Sequence, residues 1–350
     1  MTNTTQHIII IGGGPAGLEA ASSLGSSGYK VTVFEKEEQT GGKLRLWYKL
    51  FPGFRPTDEV QNYLANGFKM NPPEIITNAE VVSVIRENNH HKVNLSDGQS
   101  FKSDVVLIAT GFQVFTAEKK EEYGYKIYDN VITSVDLEGH LRSGKPLKTV
   151  AGATPHRIAF IHCVGSRDKK VGNIHCSRMC CVTGVKQAIE MKHLLPEAEI
   201  FNFYMDMRMF GQNYEELYLE AQQKCGITFI RGRVSEIAEN IDGSLQLKAE
   251  DTLSGRPIKM NFDLVVLMVG MVPASRTEDI GKSAGLAFTS GNFLASADTH
   301  TCQNETNTPG IFVTGTCREP LSIAETLTDA RAATVRIISW LRENESKLNN

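Results

Sequence analysis

The sequence predicts an α/β protein with two parallel sheets and helices on both faces of each sheet. Short apolar runs rich in β-branched residues alternate with helical segments along most of the chain. The alternation starts again at Arg157, after a polar and turn-rich stretch between Phe112 and His156. With 350 residues, the chain is long enough for two domains that each bury a core. We therefore expect two similar halves, each arranged like a nucleotide-binding unit of strand, turn, helix and strand.

The composition excludes several classes of function. The chain is 41% hydrophobic and 22% charged with a formal net charge of −3, so no basic excess argues for nucleic acid binding. No apolar run approaches the roughly 18 residues that a membrane span needs. The N-terminus lacks the basic region and the cleavage site of a signal peptide. We expect a cytoplasmic, reducing compartment, where seven cysteines are metal ligands, redox groups or core residues rather than a disulfide framework.

The predicted elements follow one another in the order of nucleotide-binding units. In the first half they are a strand at His7–Ile11, a turn at Gly12–Gly17, a helix at Leu18–Ser26, and strands at Tyr29–Phe34 and within Asp104–Gly111. In the second half a single sheet is expected from strands at Arg157–His162, Glu199–Met205, Ile227–Ile230, Leu245–Ala249 and Asp263–Val269, with helices at Cys180–Leu195 and Asn213–Cys225. A strand at Gly310–Gly315 and a long helix from about Ser322 to Arg342 follow.

The turn between the first strand and the first helix carries the pattern Gly12-x-Gly14-x-x-Gly17. The first glycine permits a tight turn, the second lets the backbone approach a pyrophosphate, and the third allows close packing of helix on strand. The helix N-terminus offers unpaired N–H groups to the phosphates. Glu35 ends the second strand about 20 residues further on, where its carboxylate can accept hydrogen bonds from ribose hydroxyls. The sequence therefore predicts a dinucleotide site in the first half.

Two further stretches resemble the flavoproteins with two dinucleotide-binding domains, the class that includes thioredoxin reductase. These stretches are Thr40-Gly41-Gly42-Lys43 and Ala109-Thr110-Gly111, and each follows or closes a predicted strand. The resemblance implies that the dinucleotide is FAD rather than NAD. That class also has a Gly-Asp pair next to the ribityl chain of the flavin. This chain has Gly315-Thr316 instead, so the aspartate is missing.

The resemblance also implies the domain boundaries and the remaining FAD contacts. The FAD-binding domain is expected to comprise residues 1–118 and 276–350, with a second Rossmann-like domain, 119–275, inserted in it. The start of the last helix, around Ser322, would direct its positive end at the flavin. The assigned cofactor-binding residues are Gly12, Gly14, Pro15, Ala16, Gly17, Glu35, Lys36, Gly42, Lys43, Val82, Thr110, Gly111, Gly315, Thr316 and Ile323.

The stretch CVGSRDKKVGNIHCSRMCC, residues 163–181, follows the first strand of the second half. A nicotinamide-binding domain carries its glycine-rich turn at this point. Here the turn reads CVGSRD with one glycine, and no GxGxxG pattern occurs between residues 157 and 275. A cradle for a pyrophosphate is absent from this half, which disfavours an NAD(P)H site.

The cysteines of this stretch have the spacing Cys163-x12-Cys176-x3-Cys180-Cys181. Cys176 and Cys180 would share one face of a helix, and Cys163 comes from the strand end. Four such thiolates could fill the iron sites of a [4Fe–4S] cluster, while zinc and unligated structural cysteines stay open as alternatives. A disulfide between the adjacent Cys180 and Cys181 would be strained. Basic neighbours that would offset a cluster's negative charge are Arg167, Lys169, Lys170, Arg178 and Lys186.

The segments CVGSRD, CSRMCC, FYMDMRMFGQNYEELY and GITFIRGRVSEI resemble the iron–sulfur flavoprotein component of heterodisulfide reductase, its A subunit, and the resemblance runs from about residue 7 to 340. It implies FAD and a [4Fe–4S] cluster with the ligands Cys163, Cys176, Cys180 and Cys181. It also implies that Lys186, five residues after the last ligand, lies near flavin N5 and tunes the flavin potential. The cluster would then occupy the nicotinamide site of the second domain.

The chain departs from the long methanogen form of this protein, because it has no CxxCxxCxxxCP ferredoxin repeat. It is similar to the short A subunit of the heterodisulfide reductase-like complex of sulfur oxidisers. That similarity implies a cytoplasmic complex with partner subunits and lipoate-binding proteins, and the wider flavoprotein class implies a homodimer. Flavin-based electron bifurcation is disfavoured, because it needs several separate electron routes.

Two other functions stay open from the sequence. One is an NAD(P)H-dependent flavoprotein disulfide reductase whose cysteines form redox disulfides. The other is a flavin-bearing scaffold subunit without turnover of its own.

Several further residues are interpreted as structural. The stretch YMDMRMF, residues 204–210, is expected to place its methionines on one face of a core strand. Glu325 and Asp329, four residues apart on the last helix, are interpreted as surface carboxylates. His162 and His175 flank the cysteines and could tune a cluster through hydrogen bonds.

Overall fold

The computed structural model describes residues 6–68, 71–88 and 90–348, and its contacts divide the chain into two compact units. The first unit comprises Met1–Arg45, Asp58–Gln113 and Val272–Asn350, and the second comprises Leu46–Thr57 and Val114–Met271. The short segment 46–57 therefore packs within the second unit, although in sequence it lies between two parts of the first.

The strands of the described residues, numbered in chain order, are β1 (His7–Ile11), β2 (Lys30–Phe34), β3 (Lys49–Leu50), β4 (Arg55–Pro56), β5 (Glu74–Ile76), β6 (Val81–Glu87), β7 (His90–Leu95), β8 (Ser100–Ser103), β9 (Val105–Ile108), β10 (Phe112–Val114), β11 (Val131–Thr133), β12 (Arg157–Val164), β13 (Glu199–Tyr204), β14 (Thr228–Arg231), β15 (Val234–Glu239), β16 (Leu245–Asp251), β17 (Arg256–Phe262), β18 (Leu264–Val269), β19 (Met271–Pro273) and β20 (Ile311–Val313). The α-helices are α1 (Pro15–Ser26), α2 (Thr57–Asn66), α3 (Ser134–Ser143), α4 (Cys180–Leu194), α5 (Tyr214–Gln223), α6 (Thr277–Ser283) and α7 (Ile323–Leu348). None of the helices in the described ranges combines the length and the apolar character that a membrane crossing requires.

The first unit is built on a five-stranded parallel sheet with the strand order β20-β9-β1-β2-β5. β1 and β9 are buried along almost their whole length, as expected for a parallel sheet that is covered on both faces. Helices α1 and α7 cover one face, and small residues such as Ala20 and Ala333 let them pack closely there. This half of the predicted α/β architecture is confirmed.

The opposite face of this sheet differs from the prediction, because it is covered mainly by strands. The antiparallel sheet β6-β7-β8 and the short helix α6 pack on it. Val84 and Val93 from that sheet join Ile9, Val106 and Ile280 in one buried cluster. Alternate side chains of β7 are buried, so one side of this small sheet faces the core.

The second unit is built on another five-stranded parallel sheet, with the strand order β11-β18-β12-β13-β14. Helices α3, α4 and α5 pack on one of its faces through Leu137, Val185 and Leu217, which form a cluster with Ile158 and Val266. Two parallel sheets, each in its own unit, confirm the predicted α/β class.

One strand expected in this sheet belongs elsewhere. The run Leu245–Ala249 lies in β16, which is the middle strand of a separate antiparallel sheet, β15-β16-β17. Short turns join these three strands, so neighbours in sequence become neighbours in space. The sequence-based assignment of this strand to the parallel sheet is therefore wrong.

The stretch 112–156, expected to be a connection, also contains regular structure. β11 forms an edge of the second parallel sheet, and α3 follows it. The Thr133 side chain accepts a hydrogen bond from the Asp136 N–H, and the Asp136 side chain accepts one from the Thr133 N–H. This reciprocal cap is visible in the sequence as a T-x-x-D pattern. A three-residue strand, by contrast, is too short to show a period.

Candidate cofactor sites

The packing of the first unit requires glycine at two positions of the turn after β1. Gly12 has a φ of +111°, and a Cβ atom there would lie 2.4 Å from the carbonyl oxygen of Ala109. A Cβ atom at Gly17 would lie 1.9 Å from the carbonyl oxygen of Gly12. These two glycines permit the turn and the close approach of α1 to β1.

Gly14 differs from them, because nothing in the described part of the protein requires a glycine there. Its φ of −77° is open to any residue, and an added Cβ atom would meet no atom within 4 Å. Pro15 begins α1 directly after it, so this open space lies at the helix N-terminus. A pyrophosphate needs such a space, since backbone N–H groups must reach its oxygens with no side chain between. The turn therefore fits the phosphates of a dinucleotide.

Glu35 and Gly42 lie beside the same turn. The buried Glu35 carboxylate accepts hydrogen bonds from the N–H groups of Gly13 (2.7 Å) and Glu37 (2.9 Å). A Cβ atom at Gly42, which has a φ of +53°, would lie 3.1 Å from the Cα atom of Gly14. The end of β2 and the loop after it are thereby fixed around the open space at Gly14.

Three other assigned residues have separate surroundings. The Lys36 ammonium lies 3.6 Å from the Glu37 carboxylate, and both are largely exposed. The Lys43 ammonium lies 5.9 Å from the centroid of the Phe112 ring, and burial lowers the pKa of this lysine. Val82 is half-buried in β6. These three positions stay predictions for the cofactor site.

Two more predicted segments meet the glycine turn within this unit. A Cβ atom at Gly315, which has a φ of +71°, would lie 2.8 Å from the Cβ atom of Ala16. A Cβ atom at Gly111 would lie 3.6 Å from the Thr316 hydroxyl. The Thr110 hydroxyl lies 2.8 Å from another hydroxyl of the same unit. The structure thus brings together three predicted segments: the glycine turn Gly12–Gly17, the segment Ala109–Gly111 and the pair Gly315-Thr316.

The interpretation of Asp329 as a surface carboxylate is wrong. Its Oδ2 atom accepts hydrogen bonds from the Gly315 N–H (2.7 Å) and the Thr314 hydroxyl (2.9 Å). Its Oδ1 atom accepts hydrogen bonds from Arg318 (2.9 Å) and Asn304 (3.0 Å). Helix α7 therefore supplies a buried carboxylate beside the turn whose own aspartate is missing. No local pattern indicates this role, because Asp329 and Gly315 are 14 residues apart.

The start of α7 lies within one residue of its predicted position. The Ser322 hydroxyl accepts a hydrogen bond from the Glu325 N–H (3.2 Å), and the Glu325 carboxylate accepts one from the Ser322 N–H (2.8 Å). Glu325 is therefore half of a capping box that fixes Ile323 as the first helical residue.

In the second unit, the cysteine segment connects β12 with α4. Cys163 lies near the end of β12, and Cys180 begins α4, which leads on to β13. Within the sheet, β12 lies between β18 and β13, so the strand order reverses next to it. Ligands of open parallel sheets bind outside the carboxyl ends of the strands at such a reversal. The cysteines therefore occupy the position of a nucleotide-binding turn.

The backbone of this segment is held in conformations that residues with side chains rarely adopt. Cys163, Arg167 and Arg178 have φ angles of 60°, 54° and 56°. Such positive values cost energy for any residue other than glycine, and they persist where the surrounding structure enforces them. Left-handed residues of this kind cluster at functional sites.

The four cysteines share a mostly buried environment. Cys163, Cys180 and Cys181 are 9%, 8% and 4% exposed, whereas Cys176 is partly exposed. Burial raises the pKa of Cys163 to about 11, and the nearby Cys181 and Cys176 act in the same direction. Burial also raises the pKa of Cys180, and each of the other three cysteines adds to the rise. The four sulfur atoms thus lie within electrostatic reach of one another.

The spacing of these sulfur atoms bears on which metal group they fit. Among the described residues, no three His, Cys, Asp or Glu side chains come close enough to one another to hold a single metal ion. A structural zinc ion needs four ligands around one centre. In a [4Fe–4S] cluster each cysteine binds a different iron at a different corner, so the sulfur atoms stand further apart. A [4Fe–4S] cluster therefore does not require the four thiols to converge on one point.

Two backbone N–H groups are directed at the cysteine sulfur atoms. The Arg178 N–H donates to Cys176 Sγ (3.3 Å), and the Arg208 N–H donates to Cys181 Sγ (3.4 Å). Burial raises the pKa of Cys181, and the hydrogen bond from Arg208 partly lowers it again. Such bonds stabilise negative charge on sulfur, which is what a bound cluster gains on reduction.

The second of these donors comes from a segment that the sequence predicts as a strand. β13 ends at Tyr204, and residues 205–210 are irregular, so that prediction is wrong. Met207 and Met209 still pack against the core of the second unit. The irregular path turns the Arg208 N–H toward Cys181 instead of into a sheet.

The same segment is anchored to the cysteine loop by charge. The Asp206 carboxylate accepts hydrogen bonds from Arg167 Nη2 (2.7 Å) and Arg231 Nη2 (3.1 Å). The hydrogen bonds from Arg167 and Arg231 lower the pKa of Asp206, so it stays charged. We define residues 205–210 as the covering segment of the cysteine site.

A buried ion pair fixes the other side of the cysteine loop. Asp168 and Lys120 are each 2% exposed, and the Asp168 carboxylate accepts hydrogen bonds from Lys120 (2.7 Å) and Arg233 (2.8 Å). Burial is the largest single influence and opposes ionisation of Asp168, but the hydrogen bonds and charges of Lys120, Lys170 and Arg233 together outweigh it, so the pKa is lowered overall. The sequence does not indicate this pair, because its members lie 48 residues apart in separate loops.

The two histidines near the cysteines form hydrogen bonds within the second unit. His162 is buried, and burial lowers its pKa to about 4, so its neutral ring donates to the Asn202 side chain through Nε2 (2.8 Å). His175 Nε2 donates to the carbonyl oxygen of Met271 (2.9 Å). A role for either ring in tuning a cluster stays a prediction.

Lys186 lies in a buried network on α4. Its ammonium donates to Glu138 Oε1 (2.5 Å) and to the carbonyl oxygen of Lys49 (2.9 Å), and it lies 3.1 Å from Glu190 Oε2. Glu138 also accepts hydrogen bonds from Gln187 (2.7 Å) and from a backbone N–H of the segment 46–57. The fold therefore holds Lys186 in one position among carboxylates.

Comparisons with known proteins agree with this architecture. A family described as NAD(P)-binding Rossmann-like domain matches residues 10–73, and one described as pyridine nucleotide-disulphide oxidoreductase matches residues 181–335. Thioredoxin reductase of Lactococcus lactis superposes with a TM-score of 0.69 at 20% identity, over 97% of this chain and 99% of that one. Thioredoxin reductase of T. acidophilum gives 0.67 at 19% identity, over 95% and 97%. These likenesses show the fold alone.

Relatives of higher sequence identity come from methanogens. The iron-sulfur A subunit of the CoB–CoM heterodisulfide reductase of Methanocaldococcus jannaschii is 31% identical over 93% of this chain and 63% of its own length. The A subunit of the H(2):CoB-CoM heterodisulfide,ferredoxin reductase of Methanothermobacter marburgensis is 39% identical over 66% of this chain and 36% of its own length. The chain therefore spans between about a third and two thirds of the length of these two relatives.

Fold and comparisons together define a class of proteins with the two-Rossmann fold of thioredoxin reductase-like flavoproteins, and residues 181–335 of this chain match the pyridine nucleotide-disulphide oxidoreductase family. Within that class, the chain is homologous to the A subunit of heterodisulfide reductase.

Proposed function

We propose that this protein is an electron-transfer subunit of a heterodisulfide reductase-like complex, with FAD in its first unit and a [4Fe–4S] cluster in its second. The observation that carries the proposal is the position of Cys163, Cys176, Cys180 and Cys181 outside the carboxyl end of β12, where a nicotinamide-dependent enzyme would bind its nucleotide. The iron–sulfur subunit names of the methanogen relatives support the same assignment.

The residues that would hold FAD are those brought together in the first unit. The open space at Gly14 would hold the pyrophosphate. The Glu35 carboxylate, at the end of β2, would accept hydrogen bonds from the ribose hydroxyls. Gly315, fixed by Asp329, would lie against the ribityl chain. When bound, FAD supplies two-electron chemistry and the cluster supplies one-electron transfer, so the pair converts between them.

The second unit would hold the cluster through four cysteines and tune it through its own backbone. The N–H groups of Arg178 and Arg208 would stabilise negative charge on the bound sulfur atoms. Arg167 would hold the covering segment in place through Asp206. Burial of three of the cysteines would keep water from the reduced cluster.

Lys186 is proposed as the fixed positive charge near flavin N5, a role that the family resemblance implies. Its support from the structure is rigidity, since Glu138 and the Lys49 carbonyl oxygen hold the ammonium in one place. A fixed charge of this kind would favour a reduced, anionic flavin ring without moving a proton itself.

The setting of the electron transfer is also part of this proposal. The relatives are named as subunits of heterodisulfide reductases, and this supports placing the chain in a complex with partner subunits. We assign it, from the similarity to the short form, to cytoplasmic disulfide or sulfur metabolism linked to lipoate-binding proteins. A homodimer is proposed from the resemblance to the wider class of flavoproteins with two dinucleotide-binding domains.

Metal analysis of anaerobically purified protein tests the proposal directly. We expect a brown protein with about four iron atoms and four acid-labile sulfides per chain, together with one FAD. Cys180→Ser should remove the cluster absorption and leave FAD bound, while the matched control Cys225→Ser, outside the segment, should retain both. Bound FAD with stoichiometric zinc and no sulfide would contradict the cluster.

A nicotinamide test separates this function from a disulfide reductase. Anaerobic addition of NADH or NADPH to the isolated protein should leave the flavin absorption unchanged, because the second unit has no glycine cradle for a pyrophosphate. Rapid bleaching would favour an NAD(P)H-dependent disulfide reductase. Redox activity of the isolated protein with artificial one-electron acceptors would exclude a scaffold subunit without turnover of its own.

A further inference from the structure

The surface next to Cys176 is where the cluster proposed above would exchange electrons with another molecule, and this inference rests on that cluster. Cys176 is partly exposed, whereas the other three cysteines of the segment are buried. Electron tunnelling is fast only over short distances, so transfer proceeds through the corner of a cluster that lies nearest to the surface. A partner's redox centre must therefore come close to Cys176.

Two large apolar side chains are exposed beside this position. Ile174, two residues before Cys176, is 54% exposed, and Phe210, at the end of the covering segment, is 72% exposed. The Arg178 guanidinium lies 5.6 Å from the centroid of the Phe210 ring, which places Phe210 against the cysteine loop. Exposed apolar groups with a polar rim mark sites of protein interaction.

The two segments that carry these apolar groups are basic. The segments 163–181 and 205–210 contain two acidic residues, and each of these is held by two basic side chains: Asp168 by Lys120 and Arg233, and Asp206 by Arg167 and Arg231. The exposed basic residues of the two segments are Lys169, Lys170 and Arg208. With five basic and two acidic residues, these two segments carry a formal net charge of +3, although the whole chain has a formal net charge of −3.

We infer that this surface docks a one-electron carrier protein with acidic residues around its own redox centre. We define the docking surface by Lys169, Lys170, Ile174, Arg208 and Phe210. Opposite charges steer the two proteins together and raise the association rate, while the apolar contacts exclude water between the centres. Transient electron-transfer contacts are small, so a patch of a few residues is sufficient. One electron passes between the two centres, one being oxidised and the other reduced, with no bond made or broken.

Stopped-flow kinetics with an acidic bacterial ferredoxin as the probe tests this inference on the holoprotein. Reduced ferredoxin is mixed with the oxidised protein, and the cluster absorption is followed at low and high ionic strength. The double variant Lys169→Glu/Lys170→Glu should lower the second-order rate constant at least about tenfold at low salt, because electrostatic steering is reversed. Raising the ionic strength should lower the second-order rate constant of the wild type and should not lower that of the double variant. Phe210→Ser should weaken binding at every ionic strength.

The matched control reverses two exposed charges elsewhere in the same unit. Arg256 and Lys259 are exposed on β17 of the antiparallel sheet, so Arg256→Glu/Lys259→Glu changes the net charge equally without altering the docking surface. We expect this control to keep more than about half of the wild-type rate. Equal losses in both double variants would overturn the inference, as would tighter binding of a basic cytochrome c than of ferredoxin in calorimetry, or preferred binding to anionic vesicles.

Two further measurements separate this inference from the proposed function. The EPR signal and iron content of each variant report whether the cluster is present, and calorimetry with oxidised ferredoxin reports docking without electron transfer. Ferredoxin binding that depends on Lys169 and Lys170 in a protein without iron would contradict only the proposed function. If the cluster is intact and substitution of these two lysines leaves ferredoxin affinity unchanged, the result would contradict only the docking surface.

Discussion

The backbone N–H of Arg208 donates a hydrogen bond to the Sγ atom of Cys181 at 3.4 Å. The Arg208 side chain is exposed, so this residue reaches the cysteine site through its backbone. Two residues earlier, Asp206 is bound to Arg167 and Arg231, which hold the covering segment in the position that this bond requires. The segment after β13 thus belongs to the site, although it contains no cysteine.

Replacing Arg208 isolates the contribution of its N–H group. Arg208→Pro removes the donor and should lower the cluster's midpoint potential by roughly 40 mV relative to Arg208→Ala, the equivalent of about 1 kcal/mol for one electron. The reason is that the N–H stabilises the more negative, reduced cluster. EPR-monitored redox titration measures both potentials, and Arg208→Ala controls for the lost side-chain charge. Identical potentials in the two variants would show that the bond has no influence.

Gly14→Ala should affect the cofactor and not the fold. An added Cβ atom meets nothing within 4 Å, and the φ of −77° suits alanine, so the melting temperature of the apoprotein should stay unchanged. The same methyl group would stand between the backbone and the pyrophosphate, and the dissociation constant for FAD should rise at least about tenfold. Fluorescence titration with FAD measures it.

Gly139→Ala is the control for that substitution, since Gly139 is also open but lies on α3 in the second unit. It should leave FAD affinity unchanged and stabilise the helix by about 0.5–1 kcal/mol. Unchanged FAD affinity in Gly14→Ala would place the pyrophosphate elsewhere.

Asp329→Ala should weaken both the first unit and its cofactor site. Asp329 and Arg318 are 9% and 10% exposed in their side chains, and removing the carboxylate leaves the guanidinium buried beside a single remaining acid. Breaking a buried ion pair in this way costs about 3 kcal/mol. The Gly315 N–H also loses its acceptor, so we expect a lower apoprotein melting temperature and a higher dissociation constant for FAD.

Asp329→Asn keeps the shape of the side chain and separates these two effects. If Asp329 positions the Gly315 turn, the asparagine variant should recover most of the FAD affinity while the melting temperature stays below that of the wild type. Normal FAD affinity in both Asp329→Ala and Asp329→Asn would show that the role of Asp329 is purely structural.

Glu190→Gln should stabilise the protein at neutral pH and not at acidic pH. Burial is the main cause that raises the pKa of Glu190 above 4.5, and Glu138 adds to the rise while Lys186 opposes it. A carboxyl group whose pKa is raised on folding contributes stability below its unfolded pKa and loses it as the pH rises through the folded value. Charged Glu190 is therefore unfavourable at pH 7.

Urea unfolding of the apoprotein measures this effect. The midpoint of Glu190→Gln should exceed that of the wild type by roughly 0.5 M at pH 7, for about 1 kcal/mol and an m-value of about 2 kcal/mol/M. The difference should vanish near pH 4. The exposed Glu197→Gln provides the control and should show no difference at either pH. A lower midpoint at pH 7 would mean that Glu190 is needed as a counter-charge for Lys186.

Features that depend on neighbouring residues can be predicted from the sequence of this protein. The period of the apolar runs predicts β1, α1, β2 and β12, and the spacing of Gly12, Gly14 and Gly17 indicates the turn that they form. The cysteine spacing predicts a metal group in the place of a nucleotide. These signals are local, because strand period, glycine conformation and the contact between a turn and its own helix act over a few residues.

The distant residues that complete the two sites are known only from the tertiary structure. Asp329 lies beside Gly315, Lys120 beside Asp168, and Arg208 beside Cys181, and none of these contacts follows from a local period. The same holds for β16, which has the pattern of a strand but pairs in a separate antiparallel sheet. Such pairings depend on how the parallel sheets and the loops beyond their strands pack together. That packing is the sum of many weak contacts along the whole chain, so no short segment of sequence contains it.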